Sequence, residues 1–338
     1  MGGPVARRPR LEDVAAEVGL SIASVSLVLR GAPGPSAATR ARVLAAAERL
    51  GYRADRAASL LARRRTRLLG VPVALRDAFR AELAEELQLA ADARGYTVTL
   101  SAITPVHDEA RVAETLLDLR CEALVLLAPT LPAEALGDLG TRVPLVVASR
   151  HVAPAGFDVV RVADDLGVAR AVDHLLALGH RDLVHVDGGD HPSAAERRAG
   201  FMRAAGERGR VVPGGLDEEA GATAARAMLD AGELPTAVVA ANDRCAVGVL
   251  DVFVRAGIRV PEDVSLVGYD DTAFAGLAHV GLTTVSQEAA AQAREAVAAV
   301  VERLDGDRSQ PREIVLTPHL VERTSTAPPR PTRELRIR

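Results

Sequence analysis

Lysine and tryptophan are missing from this sequence of 338 residues, and cysteine is scarce. Cys121 and Cys245 are too few for a disulfide framework or a cysteine-rich metal site, which favours a reducing compartment. Apolar runs fall far short of the roughly 20 residues that cross a bilayer, and the N-terminus, MGGPVARRPRLEDV, lacks the apolar core of a signal peptide. We therefore expect a cytoplasmic protein that neither spans a membrane nor is secreted.

All 41 basic residues are arginine, and they are unevenly distributed. Residues 1–67 hold 13 arginines against 5 acids, a net charge of +8, and the other 271 residues hold 28 arginines against 40 acids, a net charge of −12. A basic segment attracts nucleic-acid phosphates, whereas an acidic body is repelled by them. On charge alone, a solvated charged surface is the alternative interpretation.

Apolar positions in the first 52 residues recur with the period of helices. They predict three helices: one over Leu11–Val18, a second that begins after a cap at Ser21, and a third over Ser36–Leu50. Gly19 and Gly51 permit the turns that end the first and the third. We expect the third helix to turn four side chains inward: Val43, Leu44, Ala47 and Leu50. Two short helices joined by about three residues predict a helix-turn-helix or, alternatively, a plain helical hairpin.

The residues of this segment resemble a known family. The runs LEDVAAEVGLSIASVSLVLRG and TRARVLAAAERLGYRADRAASLLARRRTRLLGV are similar to the N-terminus of the lac repressor (LacI/GalR) family of bacterial transcriptional regulators. The resemblance implies a DNA-binding domain over 1–52 whose second helix enters the major groove through Ile22, Ala23 and Leu27. It leaves five residues as phosphate contacts, for which capping or ordinary surface is the alternative: Ser21, Ser24, Ser26, Arg30 and Thr39.

Two departures from the family pattern bear on the operator sequence. Leu27 stands where the family frequently has Arg, and Arg30 stands where it frequently has Asn. Apolar side chains read thymine methyl groups and groove shape, so Leu27 cannot make the bidentate arginine–guanine contact. The family's operator preference therefore does not carry over to this chain.

Residues 53–67 resemble the family's hinge, which forms a helix on DNA and enters the minor groove. The resemblance makes Leu61, which a helix would place beside Ala58, the wedge that kinks the central base step. It also implies backbone contacts from the surrounding arginines: Arg56, Arg63, Arg64, Arg65 and Arg67. The alternative is a basic interdomain linker with one buried leucine.

From Leu68 onward, short apolar runs rich in β-formers alternate with helical segments in two successive series. This alternation predicts an α/β fold with parallel sheets and helices on both faces, and two series predict two similar lobes. We expect an effector-binding and dimerisation domain over 68–327, with lobe one over 68–163 and 288–318. Lobe two is expected over 164–287 and 319–327, and a tail over 328–338.

Polar clusters follow four of the predicted strands, where ligands of open α/β sheets bind. The clusters are Ser149-Arg150, Asp187-Gly188-Gly189, Asn242-Asp243 and Tyr269-Asp270-Asp271. The runs LGHRDLVHVDGG, PTAVVAANDRCAVGVLDVF and RVPEDVSLVGYDDTAFA resemble the family's effector domain, which is similar to periplasmic sugar-binding proteins. The resemblance implies principal effector contacts from Arg197, Asn242 and Asp270, and further ones from Phe79, Ser149 and Gln287. The alternatives are a helix cap for Asn242 and a strand-end turn for Asp270.

The effector implied is a small polar or hydroxylated molecule. Ser149 stands where sugar-responsive members often have Asp, and Ala163-Asp164 replaces a usual Asp-Asn. Leu216 occupies a position where an aromatic ring can stack on a sugar, and aromatic residues make up only 2% of the chain. The alternatives are a sugar effector, a smaller polar metabolite as effector, and a protein that acts without a ligand.

The sequence contains few features that indicate an enzyme. The nucleophile-elbow, P-loop and dinucleotide-binding motifs are absent, so we expect neither catalytic residues nor a cofactor. Four histidines lack an evident metal-binding spacing and are expected to be turn and surface residues: His174, His180, His185 and His191.

The predicted function is DNA-binding transcriptional regulation, as a repressor controlled by the effector. A single helix-turn-helix buries too little surface for tight binding, so we expect a homodimer on a palindromic operator. The tail RPTRELRIR lacks leucine heptads, so the tetramer-forming helix of some relatives is not expected. The alternative is a cytoplasmic solute-binding sensor that acts through a protein partner.

Overall fold

The protein is described by a computed structural model over residues 9–52 and 65–329, which fall into two separate units divided between Thr66 and Arg67. The first unit is helical, and the second contains two six-stranded sheets. Five predicted DNA contacts of the hinge lie outside the described residues: Arg56, Ala58, Leu61, Arg63 and Arg64.

The first unit is a three-helix cluster. It consists of α1 (Leu11–Val18), α2 (Ile22–Leu29) and α3 (Ala37–Leu50), in agreement with the predicted helix-turn-helix. Its core contains Val14, Val25 and Val43, all fully buried. The prediction that Leu44 turns inward was wrong: Leu44 is 50% exposed, and Ala46 is buried instead. Ala46 lies three residues beyond Val43 and so shares its face, whereas Leu44 lies past the edge of that stripe.

Arginines of α3 fix the ends of the other two helices. Arg40 donates hydrogen bonds to the carbonyl oxygens of Val28 and Ala32, at 3.5 and 3.0 Å, and Arg42 donates to that of Val18 at 2.8 Å. Cations at these positions satisfy carbonyl groups that a helix end leaves free. The orientation of α2 is therefore set by side chains as well as by the core.

The first sheet of the second unit is wholly parallel, with strand order β11-β5-β4-β3-β1-β2. Its strands are β1 (Leu68–Val73), β2 (Thr97–Ala102), β3 (Ala123–Leu127), β4 (Leu145–Ala148), β5 (Asp158–Val162) and β11 (Glu313–Leu316). One face packs on α4 (Ala78–Asp92) and α11 (Ala289–Asp305), and the other on α5 (Glu109–Asp118) and α6 (Ala133–Arg142). Burial on both faces explains the nearly continuous apolar runs of the inner strands.

The second sheet repeats this plan with order β12-β10-β9-β8-β6-β7, in which β12 is antiparallel to β10. Its strands are β6 (Leu183–Val186), β7 (Gly209–Val212), β8 (Ala237–Ala240), β9 (Ser265–Asp270), β10 (Thr283–Ser286) and β12 (His319–Val321). One face packs on α9 (Glu218–Asp230) and α10 (Asp243–Arg255), the other on α7 (Asp164–Ala177) and α8 (Ala194–Ala205). Short 3₁₀ turns occupy Gly206–Arg208 and Ala273–Gly276.

The chain passes between the two sheets three times: after β5, after β10 and after β11. The result is the predicted two-lobed α/β architecture. The lobes are joined by three chain segments rather than by a single linker. Within the described ranges, no helix combines the length and the apolar character needed to cross a bilayer.

Two glycines bring α9 and α10 into backbone contact. A Cβ added at Gly248 would lie 1.9 Å from the carbonyl oxygen of Glu218, and one added at Gly221 would lie 2.0 Å from that of Cys245. Both contacts are with backbone, which cannot move without separating the helices.

Gly248→Ala is therefore expected to lower the free energy of unfolding by about 1–3 kcal/mol through overpacking, as measured by urea denaturation. Gly137→Ala in α6 is the control, because its added Cβ would meet nothing closer than 3.8 Å. The control should be neutral or stabilising by up to about 1 kcal/mol, since alanine favours helix more than glycine does. Equal losses in the two variants would contradict this account of the packing.

Two of the four histidines predicted to be turn and surface residues are buried, and the prediction was wrong for them. His180 is 1% exposed, and His185 on β6 is fully buried. The Nδ1 atom of His185 lies 2.9 Å from the carbonyl oxygen of Val239, and the ring stacks on Phe201. Burial lowers the pKa of His185 to about 4.

This low pKa predicts a loss of stability in mild acid. Unfolded histidine binds a proton near pH 6.5 and folded His185 does not, so the unfolded chain takes up more protons as the pH falls. We expect His185 to reduce the free energy of unfolding by about 2 kcal/mol between pH 7.5 and pH 5. His185→Gln should flatten this dependence in urea titrations, and an unchanged slope would exclude His185 as its source.

Candidate DNA-binding face and ligand cleft

One side of α2 is exposed, and the three predicted major-groove residues lie on it. Ile22 is 48% exposed and Leu27 is 38% exposed, with Ala23 exposed between them. Val25 and Val28 point the other way, into the core of the unit. The helix thus presents an apolar surface to its surroundings.

The predicted phosphate contacts are partly engaged within the unit. Ser21 caps α2 by accepting a hydrogen bond from the Ser24 amide at 3.2 Å, and the two hydroxyls are 2.8 Å apart. Ser36 and Thr39 repeat this arrangement at the start of α3, with hydroxyls 2.9 Å apart. Two hydroxyls that share one hydrogen bond keep one O–H free to donate. Capping and phosphate contact are therefore compatible here.

Two further predicted contacts lie farther along α2. Arg30 is exposed at its C-terminal end, where its Nε donates to the Ser26 carbonyl oxygen at 3.2 Å. Ser26 is half-buried. The guanidinium of Arg30 keeps its two terminal amino groups for an acceptor beyond the helix.

A cleft lies between the two lobes, and all six predicted effector contacts line it. They come from six separate segments and meet only in the folded chain: Phe79, Ser149, Arg197, Asn242, Asp270 and Gln287. A polar concave site at the carboxyl ends of parallel strands has the usual form of a small-molecule site.

Five other residues that line this cleft were not predicted to contact the effector: Asp77, Arg80, Ala128, His191 and Ser193. A signal existed for Asp77, which follows β1 closely and caps α4 by accepting a hydrogen bond from the Arg80 amide at 3.1 Å. The reasoning that selected polar clusters after four other strands applies equally to β1. His191 and Ser193 follow Gly188-Gly189, where the fold rather than the pattern turns them inward.

Arg197 is the most constrained of the cleft residues. Its Nε donates to Asp164 at 2.8 Å, its Nη1 donates to the carbonyl oxygen of Ala241 at 2.7 Å, and its guanidinium lies 3.8 Å from the centre of the Tyr269 ring. Arg197 and Asp164 are both almost completely buried, with side chains 6% and 3% exposed. Burial disfavours the cation, but the carboxylates of Asp164 and Asp270 raise the pKa of Arg197. The guanidinium is therefore a fixed charged donor.

A hydrogen-bonded chain joins both lobes behind the cleft. Ser149 donates to Gln292 Oε1 at 2.8 Å, Gln292 Nε2 donates to the Gln287 carbonyl oxygen at 2.7 Å, and Gln287 Nε2 donates to Asp270 at 2.6 Å. An amide oxygen only accepts, so the single proton of Ser149 is committed and its Oγ offers lone pairs to the cleft. Burial raises the pKa of Asp270 well above its usual range.

Asn242 is both a helix cap and a cleft residue. Its Oδ1 accepts from the Cys245 amide at 2.9 Å and its Nδ2 donates to the Leu216 carbonyl oxygen at 3.1 Å. Nδ2 carries a second proton, which leaves one donor for a ligand. The two interpretations of Asn242 are thus compatible.

Beside it, Asp243 is fully buried at the start of α10. It accepts hydrogen bonds from the Thr272 amide and hydroxyl at 2.8 Å and from the Thr284 hydroxyl at 2.5 Å. Burial raises the pKa of Asp243 to about 6. These contacts tie α10 to the segment after β9 and so hold Asp270 in place.

Polar contacts bridge the two lobes at two places. Arg80 Nη2 lies 3.0 Å from His191 Nε2, and His191 Nδ1 lies 2.8 Å from Ser193 Oγ. A guanidinium only donates, so Nε2 accepts and Nδ1 carries the proton. Burial, with the neighbouring Arg80 and Arg197, lowers the pKa of His191 to about 3. Elsewhere, His151 of the first lobe lies 2.7 Å from Glu196 of the second.

Besides Asp243, two carboxylates of the polar clusters predicted at strand ends lie outside the lining of this cleft. Asp187 pairs with Arg198, and Asp271 pairs with Arg323 at 2.6 Å. Both carboxylates hold neighbouring segments within the second lobe. A polar residue after a strand is therefore not by itself a sufficient signal of this site.

Comparison with known proteins places both units. Residues 10–55 match the family model described as bacterial regulatory proteins, lacI family, and residues 172–326 match the model described as a periplasmic binding protein-like domain. The chain is 33% identical to the HTH-type transcriptional regulator reg1 of Streptomyces lividans, over 94% of this chain and 96% of that protein.

Solved structures show the same likeness. One is the lac repressor dimer bound to operator and the anti-inducer ONPF, with a TM-score of 0.82 and 26% identity over 95% of this chain and all of that one. Another is the complex of the transcriptional regulator CelR with cellobiose, with a TM-score of 0.68 and 29% identity over 94% of this chain and all of that one. Both comparisons span the helical unit and the two lobes.

Proposed function

The chain belongs to the LacI family of bacterial regulatory proteins, and from that premise we propose that it is a repressor whose hold on DNA is controlled by a small polar ligand between its lobes. The family consists of DNA-binding transcriptional regulators, not enzymes. The observation that carries the proposal is the meeting of Arg197, Asp270 and Ser149 in one cleft of a chain that also bears a helix-turn-helix.

The cleft favours a ligand with several hydroxyl groups. Arg197 and Asn242 supply donors, Ser149 and Asp270 supply acceptors, and Leu216 offers an apolar surface in place of an aromatic ring. The cellobiose complex of CelR is a precedent for a disaccharide in a related cleft. The operator-bound dimer of the lac repressor is a precedent for two copies of this chain on a palindromic site.

Ligand control requires different ligand affinities in the DNA-bound and DNA-free states. We propose that the ligand alters the closure of the lobes, and that closure alters the paired hinge segments, 53–67, on DNA.

A two-step experiment tests this function on the full chain. Selection from random duplexes should first yield a palindromic operator, and a thermal-shift screen of sugars and polyols should then yield a ligand. A ligand at about 100 times its Kd stabilises the folded chain by about 2.7 kcal/mol. That ligand should change operator affinity, and Asp270→Asn should abolish the change while leaving operator binding intact. Failure to select any duplex would exclude a DNA-binding regulator and favour the sensor.

A further inference from the structure

The exposed face of α2 has an unusual chemistry for a surface that meets DNA. At 100° per residue, its exposed positions span an arc of roughly 140° with Ile22 at one edge and Ala23 and Leu27 at the other. The two branched side chains are 48% and 38% exposed, whereas Val25 and Val28 of the same helix are buried in the core of the unit. An apolar edge on both sides of the face is therefore a feature of the surface itself.

The polar groups of this face are few, and Arg30, which keeps its two terminal amino groups, is assigned to phosphate contact by the family resemblance. Ser26 is half-buried, and its carbonyl oxygen accepts a hydrogen bond from Arg30 Nε. Two arginines of the adjoining helix, Arg40 and Arg42, donate to carbonyl groups within the unit. Neither Ile22 nor Leu27 can donate to guanine O6 and N7 or accept from cytosine N4.

The major groove offers one apolar group, the 5-methyl group of thymine. The structure of this face points to that partner: we propose that Ile22, Ala23 and Leu27 read thymine methyl groups, so that each half-site has A·T pairs beneath α2. This inference rests on the proposed function, since it requires α2 to be the helix that enters the groove. The hydroxyl pairs Ser21/Ser24 and Ser36/Thr39 position the unit through phosphates without reading sequence.

Replacing thymine with uracil in the selected operator tests the proposal, because uracil lacks only the methyl group. Each contacted thymine should cost about fourfold in affinity, the equivalent of one methyl group removed from an apolar contact. Substitution in both half-sites should cost about 15-fold if the two contacts are independent. Uracil placed outside the footprint is the matched control. The change is made in the DNA, so the folding of a variant protein cannot confuse the result.

Protein variants then assign the methyl group to a side chain. Leu27→Ala should weaken binding to the thymine operator and bind the corresponding uracil operator with nearly the same affinity as it binds thymine. Leu44→Ala is the control, since Leu44 is an exposed leucine on α3, at 50% against 38% for Leu27. It should leave the thymine-to-uracil ratio unchanged.

A gain of function gives the reverse test. Leu27→Arg should change the base selected at one position of each half-site from A·T to G·C, because arginine donates to guanine O6 and N7. A selected operator that keeps its affinity within twofold when all its thymines become uracil would overturn the inference while leaving DNA binding established. Selection of no duplex at all would instead overturn the proposed function.

Discussion

Arg197→Met is expected to lower the free energy of unfolding by about 3–5 kcal/mol, because it leaves a buried carboxylate without its counter-charge. Asp164 is 3% exposed at its side chain, and the guanidinium of Arg197 is its ion-pair partner at 2.8 Å. Methionine fills much of the same volume, so the loss measures the uncompensated charge rather than a cavity. Urea denaturation followed by circular dichroism gives the difference.

The same helix provides a matched control. Arg203 also lies on α8 and pairs with Asp165 at 2.8 Å, but these side chains are 62% and 41% exposed. Arg203→Met should therefore cost no more than about 1 kcal/mol. The double variant Arg197→Met, Asp164→Asn should recover part of the loss, since it removes the orphaned charge. If the two single variants lose the same free energy, burial of the pair is not what matters.

Substitutions of Arg197 are also expected to affect ligand binding in the cleft. The guanidinium is held by Asp164, the Ala241 carbonyl oxygen and the Tyr269 ring, so its position is set before a ligand arrives. Arg197→Lys keeps the charge but loses the planar fork and the stacking. We expect it to fold more stably than Arg197→Met and still to lose the ligand-induced thermal shift, which separates binding from stability.

The helical unit could be predicted closely because its boundaries depend on local chemistry. Ser21 and Ser36 cap the starts of α2 and α3, and Gly19 and Gly51 adopt the left-handed conformation that ends α1 and α3, with φ of 65° each. Each signal lies within a few residues of the boundary that it sets. Leu44 was misassigned because it adjoins Val43 in sequence but lies about 100° around the helix from it, past the edge of the apolar stripe.

The cleft was predictable in part. Resemblance supplied six residues of its lining, but no local pattern indicates that Arg80 meets His191, since they lie in different lobes 111 positions apart. Nor does the sequence show that the Ser149 proton goes to Gln292, 143 positions away. The first contact depends on how the lobes close, and the second on how α11 packs against the first sheet, and the pattern of strands and helices determines neither.

Four strands were not predicted, namely β7, β10, β11 and β12, and for β11 the reason is a related one. β11 pairs with β5, whose residues precede it by about 154 positions, for example Val159 beside Glu313. Its residues are exposed or half-buried, and its apolar run, Ile314–Leu316, is only three residues long. An edge strand with so distant a partner has only weak local signals.

Asp158→Asn is expected to cost about 3–5 kcal/mol, because Asp158 is the buried counter-charge of two arginines. The fully buried carboxylate accepts from Arg303 at 2.9 Å, from Arg308 at 2.5 Å and from the Arg312 amide at 2.8 Å. It thereby joins the start of β5 to the end of α11 and to the segment that leads into β11. Hydrogen exchange at residues 313–316 should speed up most, since that strand loses its anchor.

An exposed pair is the control. Asp251 and Arg255 form an ion pair one helical turn apart, with side chains 55% and 77% exposed, so Asp251→Asn should cost about 0.5 kcal/mol or less. Burial alone would raise the pKa of Asp158, but hydrogen bonds from Arg308 and Arg303 hold it below its ordinary value. The carboxylate therefore stabilises the fold above the unfolded pKa of about 3.9, and this contribution is lost as the pH falls through the lower folded value. The gap between the parent and Asp158→Asn should be constant above about pH 5 and close in stronger acid, whereas a gap that persists unchanged to pH 2 would mean that the charge of Asp158 is not its source.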